Sequence, residues 1–480
     1  MGRSSFKFKK ILKRISGTKD VLVRNGILRQ KSKESQIKIC ENEKKINETK
    51  NHLNDKVNLF CQQINDNASQ NERQDTFSND IITKNESLCI RQSFMIKRMN
   101  DSPIRVVFLI EELSLLKNML SLIEEINSDK RFEAIIVSLW FKEYHKNGYD
   151  YICGDIRGTF DATKYNILES YNKETDEWLD LKSLKPDYVF FSRPYDYYRK
   201  DSYFIKEVSK YARTCYIPYG IQTVGGDIEK MVLTPECQHL NYFFLDNKLR
   251  YDFVNNTLAQ TDFAQYGRAI YLGYPGIDML LKNEQIKSVR ENEFKILWLP
   301  RWNTDEGNCH FFDYKDTLVD FSANQENCSV IFRPHPLCFK NFLNKGEMCE
   351  DDIKLLREQY SAPNRIDETD SYLESFQESS VLIADETSMI AEYFITGKPI
   401  VFCKKQTHFS ALMEKLVEGC YVVENEDELV EILKKIKNGE DSLKEVRKSI
   451  TEEYLTDFGQ SAAINIKEEL LSDFNAEYPI

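Results

Sequence analysis

The chain has no apolar run approaching the ~18 residues that a membrane span needs, no C-x-x-C pair and no Asp-x-Asp. Its start, MGRSSFKFKK, lacks the apolar core of a secretion signal. These absences set against a spanning helix and against export, and predict a cytoplasmic protein. The 12 cysteines are scattered, so their spacing gives zinc no support, and reduced, mostly buried thiols are expected. The missing Asp-x-Asp leans weakly against a divalent metal, and no metal or cofactor is expected. Basic charge is short as well: 65 Lys and Arg face 77 Asp and Glu, a net charge of -12, which disfavours nucleic acid as a partner.

The 480 residues suffice for about two to four domains. At the start, Phe8, Ile11, Leu12 and Ile15 fall at helical spacing among Arg3, Lys7, Lys9, Lys10, Lys13 and Arg14. Residues 1–17 thus fit either a basic amphipathic helix on an anionic membrane, at the inner face of the cell membrane, or a flexible basic tail. Lys31 to Asn79 is polar and poor in large apolar residues, and reads as a partly disordered spacer. The first folded unit is placed at 103–285, after a start and spacer over 1–102. Strands are expected at Ile104–Ile110, Ala134–Trp140, Asp187–Ser192, Thr214–Ile217 and Asn241–Leu245, with helices between, including Ser202–Ala212. A second α/β series, 286–455, carries strands at Lys295–Leu299, Ser329–Phe332, Val381–Ala384 and Ile400–Cys403. A last helix, 456–480, packs back. Alternating strands and helices mean parallel sheets covered on both faces. The fold class is therefore α/β, two doubly wound Rossmann-like domains facing a cleft, with an N-terminal extension.

Ligands of such sheets sit beyond the carboxyl ends of the strands. There the chain places Arg301 and Asn303 in LPRWN, Arg333 and His335 in FRPHP, and Asp385, Thr387 and Ser388 in ADETS. Arginine offers a planar, permanently charged fork for phosphate oxygens. His335 can donate a hydrogen bond or carry a proton to a leaving phosphate. The helix after Ala384 either seats an anion or is an ordinary βα turn whose Asp and Thr cap it. In YLGYPGIDML, Gly273 and Gly276 allow close backbone approach, as at a ligand or at a domain hinge. An acceptor hydroxyl needs a base. Tyr219, in YIPYGIQTVGG, is a poor one, and Asp227 and Asp196 are candidates by position. Most tyrosines of RPYDYY read as core or rim packing.

Taken together these segments resemble the CDP-glycerol glycerophosphotransferase family, the teichoic-acid primases and polymerases. The likeness runs from about Tyr211 to Glu431. YLGYPGIDML is similar to the family's glycine-tyrosine-proline turn, ILWLPRWN to its strand ending in Pro and Trp, FRPHP to its Arg-x-His-Pro motif, and ADETSMIAEYFITGKPIVF to its Asp-Tyr-Ser-Ser segment and following helix. The resemblance implies a GT-B fold whose C-terminal domain binds a CDP-linked donor. Carried over by position, Arg333, Asp385, Thr387, Ser388 and Glu392 would serve the donor, and His335 would assist the departing cytidylate; Gly273 and Arg301, the latter standing where the family more usually has Thr, join the donor site from the reading of their own segments. It also implies transfer of glycerol phosphate, or a related polyol phosphate, to a glycan or lipid-linked acceptor of a cell-surface polymer. The chain departs from the pattern at Pro218-Tyr219-Gly220, where the family has Trp-His-Gly with the His taken as base. Glu386 and Thr387 also stand for the usual Tyr and Ser. A GT-B glycosyltransferase using a nucleotide sugar and a non-catalytic nucleotide-binding module are the alternative readings.

Overall fold

Strand Ile104–Ile110 (β1), IRVVFLI, is buried at six of its seven positions. A strand covered on both faces belongs inside a parallel sheet. Its sheet comprises Phe132–Ser138 (β2), Ile167–Glu169 (β3), Tyr188–Phe191 (β4), Arg213–Tyr216 (β5), Tyr242–Phe244 (β6) and Arg268–Ile270 (β7). The second sheet comprises Phe294–Leu299 (β8), Cys328–Phe332 (β9), Arg365–Ile366 (β10), Val381–Ala384 (β11), Ile400–Cys403 (β12) and Tyr421–Val423 (β13). Every ladder in both is parallel. The orders are β7-β6-β5-β4-β1-β2-β3 and β10-β9-β8-β11-β12-β13. Each runs 3-2-1-4-5-6 from its own first strand, the doubly wound order, with one strand added to the first sheet. The switch points fall between β1 and β4 and between β8 and β11. The structure is a computed structural model that describes residues 85–116, 118–145, 148–154, 156, 164–223, 234–260, 267–283, 293–369, 371–404, 409–456 and 461–476. The amphipathic start, the spacer at Lys31 to Asn79 and Asp227 lie outside the described residues.

The sequence places the first folded unit at Pro103, but a helix over 85–99 already belongs to it. Ile90 and Phe94 are buried with β1, and Arg91 reaches Asp473 at 2.6 Å. Only two apolar side chains, four apart, face inward on this helix, too sparse a stripe to register in a polar stretch. The helix expected at Ser202–Ala212 is also shorter: a 3₁₀ turn at Asp201–Tyr203 precedes a single turn at Ile205–Val208. Both carboxylate oxygens of Asp196 take the Ile205 N–H at 3.1 Å and start the helix there. After β2 the chain turns into an antiparallel hairpin, Trp140–His145 with Gly148–Cys153, which the strand expected at Ala134–Trp140 does not anticipate.

Three apolar cores hold the described residues together. One underlies an outer face of each sheet. The largest joins Val106, Phe108 and Ile110 of the first sheet to Leu297, Leu299 and Leu382 of the second, through Tyr274, Ile390 and Phe394. Helix Ala462–Asn475 contributes Ala463, Ile466, Leu470 and Phe474 to this same core. Asp278 fixes that helix: its two oxygens accept the N–H groups of Ala462 and Ala463, both at 2.9 Å. Among the described residues no helix is long and apolar enough to cross a membrane.

Candidate active site

Strands β8 and β11 end in register, Leu299 beside Ala384, so Arg301 and Asp385 leave the second sheet together at its switch point. Asp385 is buried and organises what surrounds it. Its Oδ2 accepts the N–H of Arg301 at 2.6 Å and of His310 at 3.0 Å. Its Oδ1 meets His310 Nδ1 at 2.6 Å, and the His310 ring stacks on Tyr314. An acceptor carboxylate places the proton on Nδ1 and leaves Nε2 as the second functional atom. His310 was not indicated by the sequence, since it stands in a loop with no motif around it. Cys403, at the end of β12, brings a third ligand-type atom, all three lying within 4.8 Å of one another. The 2.6 Å contact is a hydrogen bond that turns the His and Asp atoms toward each other, so the trio reads as a buried His–Asp pair beside a thiol.

Arg301 extends over this floor. Its Nε donates to Glu306 at 2.5 Å and its Nη1 to the Glu386 carbonyl at 3.1 Å. Beside it the His335 ring lies on Trp302, centroids 5.2 Å apart. The Leu337 N–H donates to His335 Nδ1 at 3.1 Å, which assigns the neutral ring's proton to Nε2. Although the outer edge of the ring is open to solvent, desolvation against its neighbours, and then the Arg301 charge, hold its pKa below the ordinary histidine value. Protonation at Nδ1 would also break the bond from Leu337. His335 is thus a neutral Nε2–H donor at pH 7, not an imidazolium.

Thr387 and Ser388 precede helix Met389–Phe394, which has only six residues. Thr387 Oγ1 accepts the Met389 N–H at 3.4 Å, and the Ser388 hydroxyl makes no cap hydrogen bond. A Cβ placed on Gly220 would lie 3.8 Å from Ser388 Oγ, so the loop after β5 faces the hydroxyl directly. Neighbouring Tyr219 is 50% exposed, and its carbonyl accepts from Asn118. Arg301, His335, Asp385, Thr387 and Ser388 are therefore drawn together at the strand ends, opposite Tyr219 and Gly220.

Other residues singled out in the sequence lie elsewhere. Arg333 turns inward, donating to Asp367 at 2.8 Å and to the Thr369 carbonyl at 2.8 Å. Desolvation of Asp367 is outweighed by bonds from Ser375, Thr369 and Arg333, which lower its pKa to about 2. The guanidinium thus supports Asp367, Thr369 and Ser371 instead of lying open to a phosphate. Glu392 is buried, one helical turn from Ser388, near the phenols of Tyr274 and Tyr372, whose pKa values burial and then this carboxylate push up. Gly273 has φ 91°, a conformation that favours glycine, and it lies buried in the turn before Tyr274. Asp196 is only 6% exposed; it caps Ile205 and pairs with Arg199 at 3.0 Å. Arg199 in turn meets Glu111 at 3.1 Å, and Ser192 donates to Glu111 at 2.7 Å. Asp196 is a fixed part of the first sheet's switch point, its oxygens holding the Ile205 N–H and Arg199.

Two parallel doubly wound sheets, with ligand-type side chains at a switch point facing the other domain, define a GT-B fold. The wall teichoic acid polymerase TagF has this fold at TM-score 0.52 and 14% identity, covering 82% of this chain and 98% of that one. A UDP-N-acetylglucosamine 2-epimerase from Listeria monocytogenes is similar at TM-score 0.51 and 12% identity, over 79% and 98% of the two chains. Curated protein sequences yield no match. The family model CDP-Glycerol:Poly(glycerophosphate) glycerophosphotransferase matches residues 221–464, just over half of the chain. The chain belongs to that family and is a transferase of the glycerophosphotransferase type.

Proposed function

We propose that this protein transfers glycerol phosphate, or a related polyol phosphate, from a CDP-linked donor to a hydroxyl of a glycan or lipid-linked acceptor in the building of a cell-surface polymer. The observation that carries this reading is the gathering of Arg301, His335, Thr387 and Ser388 at the ends of β8, β9 and β11, opposite Tyr219 and Gly220. An acceptor hydroxyl attacks the glycerol-bearing phosphorus in line. The new P–O bond forms as the bond to the cytidylate oxygen breaks, and CMP departs with that electron pair. Arg301 meets the charge of the diphosphate. The Nε2–H of His335 and the hydroxyls of Thr387 and Ser388 donate to the oxygens on which charge develops. His335 acts as a fixed donor and surrenders no proton. Asp385 holds Arg301 and the His310 loop through its three hydrogen bonds, and is a positioning residue. The acceptor proton passes to a base, for which Asp227 stays the candidate by position. Arg333, Glu392 and Gly273 support the site from behind: one braces a loop, one lies under the helix, one shapes the turn.

The test is release of CMP from CDP-glycerol, with transfer of labelled glycerol phosphate to a lipid-linked or soluble glycan. Both products in equal amounts support the proposal. Transfer of sugar from a UDP donor, with no CMP release from CDP-glycerol, would move the activity to a glycosyltransferase.

A further inference from the structure

At the carboxyl end of the first sheet, the loop after β4 and the hairpin after β2 meet. The Tyr144 hydroxyl donates to the Tyr197 carbonyl at 2.9 Å, and the Lys142 N–H donates to the Tyr198 carbonyl at 2.7 Å. Tyr144 and Tyr197 are nevertheless 53% and 50% exposed. Their rings border an open groove of about 650 Å³ shared with Phe141 and Tyr198, within the roughly 300–1,000 Å³ of small-ligand clefts. The rings are pre-set. Tyr195 stacks on Tyr197 at 5.2 Å, and the Arg193 guanidinium lies over Tyr198 at 4.8 Å.

A solvent-facing phenol tied to a backbone carbonyl, beside a Tyr197 ring packed on Tyr195 and Tyr198, is costly as packing and well suited to a ligand. Their rings accept the C–H face of a pyranose ring. Of the charges nearby, Lys142 pairs with Asp201 at 3.3 Å and Arg193 with Glu112 at 2.9 Å, and Glu143 also lines the groove. A polyanion such as a chain of polyol phosphates would want excess cations here, and this surface offers none unmatched among these. The path also leads to the chemistry. Burial, and next the neighbouring Tyr219, push the Tyr195 phenol up to about 12. Tyr219 adjoins Gly220, which faces the Ser388 hydroxyl.

We infer that the Tyr144–Tyr197–Tyr198 surface is the binding site of the acceptor, and that the acceptor segment bound there is an uncharged pyranose oligosaccharide rather than a polyol phosphate chain. The acceptor chain lies across the tyrosines, and its end passes Tyr219 to reach the cleft. This assignment rests on the transferase reading above and names its acceptor class.

The experiment titrates the full chain with cellotetraose, chitotetraose and a glycerol phosphate tetramer, by calorimetry and saturation-transfer NMR, alongside CDP. Wild type, the pair Tyr144→Ala/Tyr197→Ala and the pair Tyr144→Phe/Tyr197→Phe are compared. A pyranose tetramer should bind wild type. The Phe pair, which keeps the rings, should stay within about threefold, and the Ala pair should weaken about tenfold or more. CDP binding should be equal in all three. Unchanged pyranose binding in the Ala pair, or preference of wild type for the glycerol phosphate tetramer, would overturn the assignment. Failure of wild type to bind CDP would instead overturn the transferase reading beneath it.

Discussion

At the residue scale the histidine of FRPHP decides how the site treats pH. Its Nδ1 is committed to the Leu337 N–H, and desolvation with Arg301 nearby lowers its pKa. A histidine whose folded pKa lies below its unfolded value is neutral in both states above the unfolded value. Folding stability is then lost as pH falls from there toward the folded pKa. Activity should therefore show no acid limb between about pH 6 and 7 from this group, since its reference pKa is near 6.5. His335→Gln keeps an N–H donor and should retain more activity than His335→Ala, which should lower kcat by about 10²-fold. A pH–rate profile of wild type and both variants checks this; an acid limb that vanishes in His335→Gln would contradict it. Arg333 makes the opposite prediction. Because it is spent on Asp367 and Thr369, Arg333→Met should destabilise the fold by about 3–5 kcal/mol in urea titration, as when one partner of a buried pair is removed. The sequence shows both side chains at one strand end but not which way each turns. Direction depends on Asp367, 34 residues away in the chain.

Elements were legible where apolar runs were long. β1, β4, β8 and β11 stand where the sequence places them within a residue or two, because fully buried strands need uninterrupted apolar side chains. The hairpin after β2 was missed, since its strands WFKEYH and GYDYIC face solvent and carry charge and aromatics instead of a clean alternation. For the same reason the RPYDYY tyrosines read as packing, yet Tyr197 lies half open. Partners remote in sequence account for the other differences: Asp278 caps a helix 184 residues away, a role invisible in YLGYPGIDML. Asp278→Ala should cost about 1–2 kcal/mol, typical of a lost cap, and should raise protease sensitivity at the start of helix Ala462–Asn475 before elsewhere. Limited proteolysis with urea titration reads both. Cleavage at wild-type rate and an unchanged midpoint would show that the helix needs no cap. Gly273→Ala, at φ 91°, should cost more than about 1 kcal/mol, since alanine is strained there.

Among the described residues from Asn85 on, two sheets of one winding order share a core, and helix Ala462–Asn475 crosses back to seal it. Each sheet has its own switch point, and under the proposed function the donor and the acceptor meet between them. One is built on Asp385 with Arg301, the other on Glu111 with Arg199 and Ser192. The strand-end residues of the second sheet stood out in the sequence, while the tyrosines of the first did not. Phosphate chemistry draws on few side-chain types at fixed places, whereas the acceptor surface proposed above consists of ordinary tyrosines that only the fold brings together. The central claim is that a cytidine donor binds at the ends of β8, β9 and β11. The most direct measurement is calorimetry of CDP-glycerol, CDP and UDP on the full chain, beside Ser388→Ala and His335→Ala. The account predicts that both cytidine ligands bind, UDP binds more weakly, and each variant loses about tenfold, the equivalent of one charge-assisted hydrogen bond. Equal affinity for UDP, or cytidine binding unmoved by either change, would contradict it.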